Sequence, residues 1–393
     1  MSLMSKQNLV LLGGGFAGTW IATHATPAHT AKFEVTLVSE EPAFTFSPLL
    51  INGLAGDLAA TDYTLDLTKL ASERGFRFIQ AKVDLIDRET KTIHLTQANG
   101  NALTLPYDTA VLATGAKTNF FDIPGLEQEA LTLKHLSDVE HIVARLRETL
   151  NTASKVWTDE EKKQLLSFVI VGGGPTGIEL LGAMQERLTY LAYEAGLEAL
   201  LPFVSITLIE SNKLLFYGFP EELGKKSEQI LKQNGVRVCC DVKVTSAEKG
   251  KLTFADQTTL SYGTLIWAAG VKATTPPIQP AFPPGPLTSN EFLQLDDSLF
   301  GVGDAVLYEQ NGVRFNKTAQ FALQMGHDVL QNILRQRKGQ PLIHPKSAHT
   351  AALVTVLQTG FFRYGSFVLK GRWVHAFRKL IYRFRLWQIR TGR

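Results

Sequence analysis

The chain has 393 residues, of which 45% are hydrophobic and 20% charged, with 32 Gly and a net charge of +3, a composition that fits a globular protein of two to three domains. Disordered, collagen-like and low-complexity classes are excluded. Two cysteines, the adjacent Cys239 and Cys240, provide neither a disulfide framework nor zinc-ligand spacing, and the nine His show no HExxH-type pattern, so no metal is expected. So few cysteines read as a cytosolic, reduced chain, and with no stretch of about 18 uninterrupted apolar residues and no basic, cleavable leader over Met1 to Gly18, no segment is expected to span a membrane or direct export.

The charge is unevenly placed. After Asp328 no acidic residue occurs, and the last 65 residues carry 13 Lys and Arg. The rest of the chain holds 27 basic against 37 acidic residues. A single-sign end on an oppositely charged body suits a surface that meets something anionic, phospholipid or nucleic acid.

In chain order, the apolar strand Asn8 to Leu12 runs into Gly13-Gly14-Gly15-Phe16-Ala17-Gly18 and then a helix. Such a turn needs Gly13 for its tight bend, Gly15 for approach of backbone to a pyrophosphate, and Gly18 for packing of helix on strand. The helix N-terminus stabilises the phosphate charge. The next strand, Phe33 to Val38, ends at Ser39-Glu40, where an acceptor for ribose hydroxyls is expected; Glu40 stands one residue late. The pattern returns at Ser167 to Val171, followed by Gly172-Gly173-Gly174-Pro175-Thr176-Gly177, a helix, and a strand Val204 to Ile209 closing on Glu210. Glu210 places negative charge where a 2′-phosphate would lie, which favours NADH over NADPH, although Lys213 is near in sequence. One such loop can be a mere connection; two in one chain point to two dinucleotides.

About 100 residues after each loop comes a matching strand-to-glycine segment, ending in Ala113-Thr114-Gly115 and in Ala268-Ala269-Gly270. A third, Ser298 to Ala305, carries Gly303-Asp304 at its tip, an acid able to accept hydrogen bonds from a polyol chain. Val236 to Val244 reads as a strand in which Cys239 and Cys240 alternate between core and surface.

Residues 372–387 place Trp373, Phe377, Leu380, Phe384 and Trp387 at steps of four, three, four and three, one apolar stripe of a helix, with Arg372, Lys379, Arg383 and Arg390 on another side. An amphipathic basic helix of this kind lies in the head-group plane of an anionic bilayer, each cation contributing about 1 kcal/mol. Docking on the acidic body of the same chain is the alternative. A nucleic-acid helix has no use for so continuous an apolar stripe, so no nucleic-acid partner is expected.

The ordered set Gly13 to Gly15, Ala113-Thr114-Gly115, Gly172 to Gly177, Ala269-Gly270 and Gly303-Asp304 resembles the two-dinucleotide flavoproteins that include the pyridine nucleotide-disulfide reductases. The resemblance covers roughly residues 6–330. It implies FAD on the N-terminal unit, with Gly303 and Asp304 against its ribityl and pyrophosphate, and NADH on the central unit. The disulfide reductases and sulfide:quinone reductases of this class depend on cysteines, and none here precedes Cys239, so electrons are expected to leave the flavin for an external acceptor without a thiol relay.

Phe44-Thr45-Phe46-Ser47-Pro48-Leu49-Leu50 and Lys317-Thr318-Ala319-Gln320-Phe321-Ala322-Leu323-Gln324 narrow the branch. Both are similar to type II NADH dehydrogenases, the second matching that family's AQxAxQ pattern. Gln320 and Gln324 share a helix face; the resemblance places them, with Thr318 and Ala319, at the quinone end of the flavin. From spacing alone they are equally a polar stripe. Glu179 resembles the family glutamate beside the nicotinamide; a glutamate in a first helical turn is also favoured by the helix dipole.

The expected architecture is α/β, with two Rossmann-like dinucleotide-binding domains and a C-terminal amphipathic membrane-associating segment. Residues 1–120 and 271–330 form a discontinuous FAD domain, 121–270 the NADH domain and 331–393 the membrane segment. The expected activity is hydride transfer from NADH to FAD and of two electrons to a membrane quinone, without proton pumping, by a chain peripheral on the inner, cytoplasmic face of an anionic membrane, with a homodimer compatible. The alternatives are a soluble NAD(P)H-dependent ferredoxin- or rubredoxin-type reductase, and an NADH-sensing flavoprotein.

Overall fold

The computed structural model describes residues 6–25, 33–310, 313–314, 317–345, 351–364 and 367–392. β1 (Gln7–Leu12) leads into α1 (Phe16–His24) and pairs in parallel with β2 (Phe33–Ser39). Leu9, Leu11 and Leu12 are fully buried, so the strand is apolar on both faces, as a parallel sheet covered on both sides requires. After α2 (Leu67–Arg74) the sheet continues through β3 (Arg77–Asp87), parallel to β2, and an antiparallel meander of β4 (Thr92–Gln97) and β5 (Ala102–Pro106). β6 (Thr109–Leu112) returns to the other side of β1.

The chain then builds a second sheet. β7 (Ala130–Leu131), α3 (Leu136–Ala153), β8 (Ser167–Val171), α4 (Pro175–Glu194), β9 (Ser205–Ile209), β10 (Arg237–Cys239) and β11 (Thr264–Trp267) give the all-parallel order β7-β11-β8-β9-β10. Only afterwards does β12 (Leu299–Gly301) pair with β6 and complete the first sheet, so the second unit is an insertion within the first. α5 (Ala319–Arg337) packs on α1, with Gly326 against the backbone of Ala17. The helix passes the expected boundary at residue 330 because Val329, Leu330, Ile333 and Leu334 continue its buried face.

The C-terminal part is more than a helix. β13 (Ala351–Val356), β14 (Thr359–Tyr364) and β15 (Phe367–Gly371) form an antiparallel sheet ahead of α6 (Arg372–Thr391). Val354 and Val356 are buried, and Leu357 lies against Gly182 of α4. α6 is clamped at its end where Arg74 of α2 donates to the Thr391 carbonyl, and Lys379 pairs with Asp57 at 2.5 Å. The cysteines depart from expectation. Both are half-buried, Cys239 packing with the cluster around Val169 and Trp267 and Cys240 with the main core, because β10 has packed elements on both faces.

Candidate functional site

The two glycine turns superpose in chemistry. The N–H of Gly13 donates to Val38 at 2.8 Å and that of Gly172 to Ile209 at 2.8 Å, and the two residues hold φ of +118° and +123°. A Cβ on Gly172 would stand 2.7 Å from the Ala268 carbonyl carbon, and one on Gly18 or Gly177 would overlap the carbonyl of Gly13 or Gly172. Gly15 and Gly174 behave oppositely. They are the N-caps of α1 and α4, and a Cβ on either would meet nothing within 4 Å. The rim of each turn is therefore open where a diphosphate must approach helix N–H groups, and both turns fit a dinucleotide. Phe16 and Ala17 in the first and Thr176 in the second occupy the opening helical turn.

The strand ends differ. Ser39 is buried and its hydroxyl lies beside Gly14, whereas Glu40 is exposed and its backbone carbonyl accepts from Gln80 Nε2 at 3.1 Å. In the second unit Glu210 is buried and accepts from Gly173 N–H at 2.6 Å, Asn212 N–H at 2.7 Å and Asn212 Nδ2 at 2.6 Å. These donors hold its carboxylate at the lip of the glycine turn.

The other expected contacts divide between the turns, Ala113 and Thr114 standing against Gly13 and Ala268 and Ala269 against Gly172. Thr114 Oγ1 donates to the Thr274 carbonyl, Gly115 and Gly270 have positive φ, and Ala269 packs beside Trp267. Gly303, φ +64°, directs its N–H to Met325 Sδ at 3.2 Å. Asp304 follows in a cleft lined with Lys317, Thr318 and Phe321. Burial raises its carboxyl above the usual range while Lys134 and Lys317 pull it back, and Lys317 Nζ donates to its carbonyl at 3.1 Å. Thr318 is the N-cap of α5, its Oγ1 accepting from Phe321 N–H at 3.2 Å, so Ala319 opens the helix.

Glu179 lies in the second turn of α4, beyond reach of a helix-dipole explanation, because Gly174 is the cap and the first turn holds no acid. Its carboxylate accepts from Thr355 N–H at 2.9 Å, Thr355 Oγ1 at 3.0 Å and the guanidinium of Arg378, which is fully buried. Nε and Nη2 of Arg378 have no partner among the described residues. Tyr382, one turn on, carries the guanidinium over its ring at 5.6 Å and meets Phe46 at 5.5 Å; Phe46 and Phe44 both sit edge-on to Phe16 at 5.2 Å. Burial first and the charge of Glu179 second push the Tyr382 phenol up to about 12. The segment after β2, the first glycine loop and the tail helix thus converge on Glu179.

Gln320 and Gln324 share a face of α5, but only Gln320 is exposed. Gln324 Nε2 donates to both oxygens of Asp328, at 3.0 and 3.1 Å. Sequence reasoning overlooked Asp328, Thr355, Arg378 and Tyr382. Asp328 announces itself as an acid one turn past Gln324 inside an apolar run, and Arg378 as a cation outside the basic face.

The outer face of α6 holds the expected stripe. Trp373, Phe377, Leu380, Phe384 and Trp387 are 43% to 64% exposed, with Arg383, Arg385 and Arg390 exposed among them, while Val374, Arg378 and Ile389 face inward. The Arg372 side chain lies outside the described residues. No helix among the described residues is long and apolar enough to cross a membrane.

A type II NADH:quinone oxidoreductase of Haemophilus influenzae is 28% identical over 89% of this chain and 85% of its own length. A probable NADH dehydrogenase of Dictyostelium discoideum is 26% identical over 95% and 86%. An external alternative NAD(P)H-ubiquinone oxidoreductase of Arabidopsis thaliana is 27% identical over 81% of the chain, which spans 57% of that longer protein. In fold, the NDH2 of Plasmodium falciparum in complex with NADH superposes with a TM-score of 0.87 at 20% identity, covering 98% and 97% of the two chains. The model of the pyridine nucleotide-disulphide oxidoreductases matches residues 7–326, and the chain belongs to that family.

Proposed function

We propose that this chain is an NADH:quinone oxidoreductase that works at a membrane surface. The observation that carries the reading is the double orientation of α6. Its inner face closes over Glu179 and the first glycine loop, and its outer face offers an apolar stripe edged with arginines. A site sealed by such a helix opens toward lipid, where a quinone resides. The names of the relatives support the same chemistry.

In this reading residues 1–120 and 271–330 hold FAD, and 121–270 hold NADH. When bound, FAD supplies the two-electron relay between nicotinamide and acceptor. The chain binds and orients. Helix N-termini at Gly15 and Gly174 take the diphosphates, Glu210 accepts from the ribose hydroxyls, and Ser39 does so more weakly in the first unit. Glu179 is fixed by Thr355 and Arg378 beside the nicotinamide path, and the free N–H groups of Arg378 suit a carbonyl oxygen. Tyr382 remains a phenol across the physiological range and can donate. Gln320 and Gln324 line the acceptor end, on a chain resting peripherally on the inner, cytoplasmic face.

The test is NADH oxidation by the FAD-loaded protein with and without a short-chain quinone, in vesicles containing anionic lipid. Quinone-stimulated turnover, with vesicle binding lost in Trp373→Ser, Trp387→Ser, is the expected result. Flavin reduction without quinone turnover would transfer the role of acceptor to a soluble protein such as a ferredoxin.

A further inference from the structure

Asp328 is 1% exposed, a carboxylate on the buried face of α5 beside Met325 and Val329. Burial of a carboxylate costs stability unless donors meet it; Gln324 Nε2 donates to Asp328 at 3.0 and 3.1 Å, and His327 Nδ1 lies 3.0 Å from it. His327 sits at the solvent edge, against Trp20 at 5.5 Å. It is the NH2 of the Gln324 amide that faces both carboxylate oxygens, so the amide oxygen is turned away. Gln320, one turn earlier and exposed, has no such constraint.

We propose that Asp328 is a positioning residue that locks the Gln324 amide with its oxygen outward, so that Gln324 offers an acceptor and selects the hydroxyl of the reduced acceptor, leaving Gln320 to donate to the oxidised carbonyl. The inference rests on the quinone reading above. It makes the two glutamines unequal partners. Gln324 would stabilise the hydroquinone product, whose two O–H groups need acceptors, and an oxidised quinone offers it nothing to accept.

The experiment compares the FAD-loaded wild type with D328N, Q324L and the double variant. The readouts are inhibition by an added short-chain hydroquinone, KM for the matching quinone, flavin reduction by NADH and the melting temperature. An asparagine at 328 can donate to the Gln324 oxygen and releases the lock. Expected is a rise of about tenfold in the inhibition constant of hydroquinone in D328N, with a smaller change in KM for quinone, and no further rise when D328N is added to Q324L. D328S, which removes the carboxylate without adding volume, guards against misfolding of D328N. An unchanged inhibition constant in a folded D328N or D328S, or losses that multiply in the double variant, would overturn the proposal. If wild type reduces its flavin with NADH but shows no quinone turnover, the quinone reading fails first and takes this one with it.

Discussion

The two glycine turns share backbone geometry to within a few degrees of φ, yet the side chains around them diverge. At the first turn the strand ends in a neutral, buried Ser39, and the helix behind it is covered by α5 through Ala17 and Gly326. At the second it ends in Glu210 with four hydrogen bonds, and the helix behind it carries Glu179 up to the tail. Backbone shape says only that a dinucleotide is held. In the function proposed above, the strand-end residue and the second helical turn select which one is held and what it faces.

The strongest way to break the likeness is to fill one turn at two depths. Gly177→Ala puts a methyl onto the Gly172 carbonyl and is expected to cost more than about 3 kcal/mol, abolishing NADH binding with the fold of the second unit. Gly174→Ala points into open space: the melting temperature should hold while NADH affinity, measured by flavin reduction, falls about tenfold. Comparable in size to the deeper of these is the contact that only the second unit makes. Glu179→Gln strips the buried Arg378 of its charge partner and should destabilise by about 3 to 5 kcal/mol in urea denaturation, whereas Arg378→Met leaves Glu179 with its two Thr355 donors and costs less.

A smaller effect sharpens the difference at the strand ends. Glu210→Ser imitates the first turn and is expected to reduce the preference for NADH over NADPH about tenfold, read as the ratio of kcat/KM. The smallest effect lies beside it. Burial, then Glu228 and Glu210, push the Cys240 thiol up to about 11. Because the folded value is raised, its contribution to stability is full below the unfolded pKa and disappears as pH climbs through about 11. In a Cys239→Ser background, alkylation of Cys240 should stay slow at pH 9 and accelerate toward pH 11, with a slightly lower midpoint in Glu210→Gln.

What the sequence revealed follows the range of its forces. Glycine turns, the acid Glu210 at the second strand end and the Trp373 to Trp387 stripe are local patterns, each dictated by φ, by a close approach or by helical spacing, and the structure has them where the spacing puts them, whereas Glu40 stands exposed past the first strand. The partners of Glu179 were illegible because Thr355 and Arg378 are about 180 and 200 residues away, and only tertiary packing joins them. The three strands before α6 were missed for another reason. Their residues favour strands, Val354, Thr355, Val356, Phe361 and Phe362 among them, but a short apolar run is ambiguous until it packs, here on α4.

The pairing of β6 with β12 has a consequence in time. The first sheet is waiting for its last parallel strand throughout synthesis of the second unit, so the inserted sheet can collapse as a guest while its host is unfinished. Closing so long a loop adds little to the equilibrium cost, about 0.6 kcal/mol for each doubling of its length, but it postpones the host's completion. Until β12 is made, the edge of β6 that it will cover is left without its strand partner.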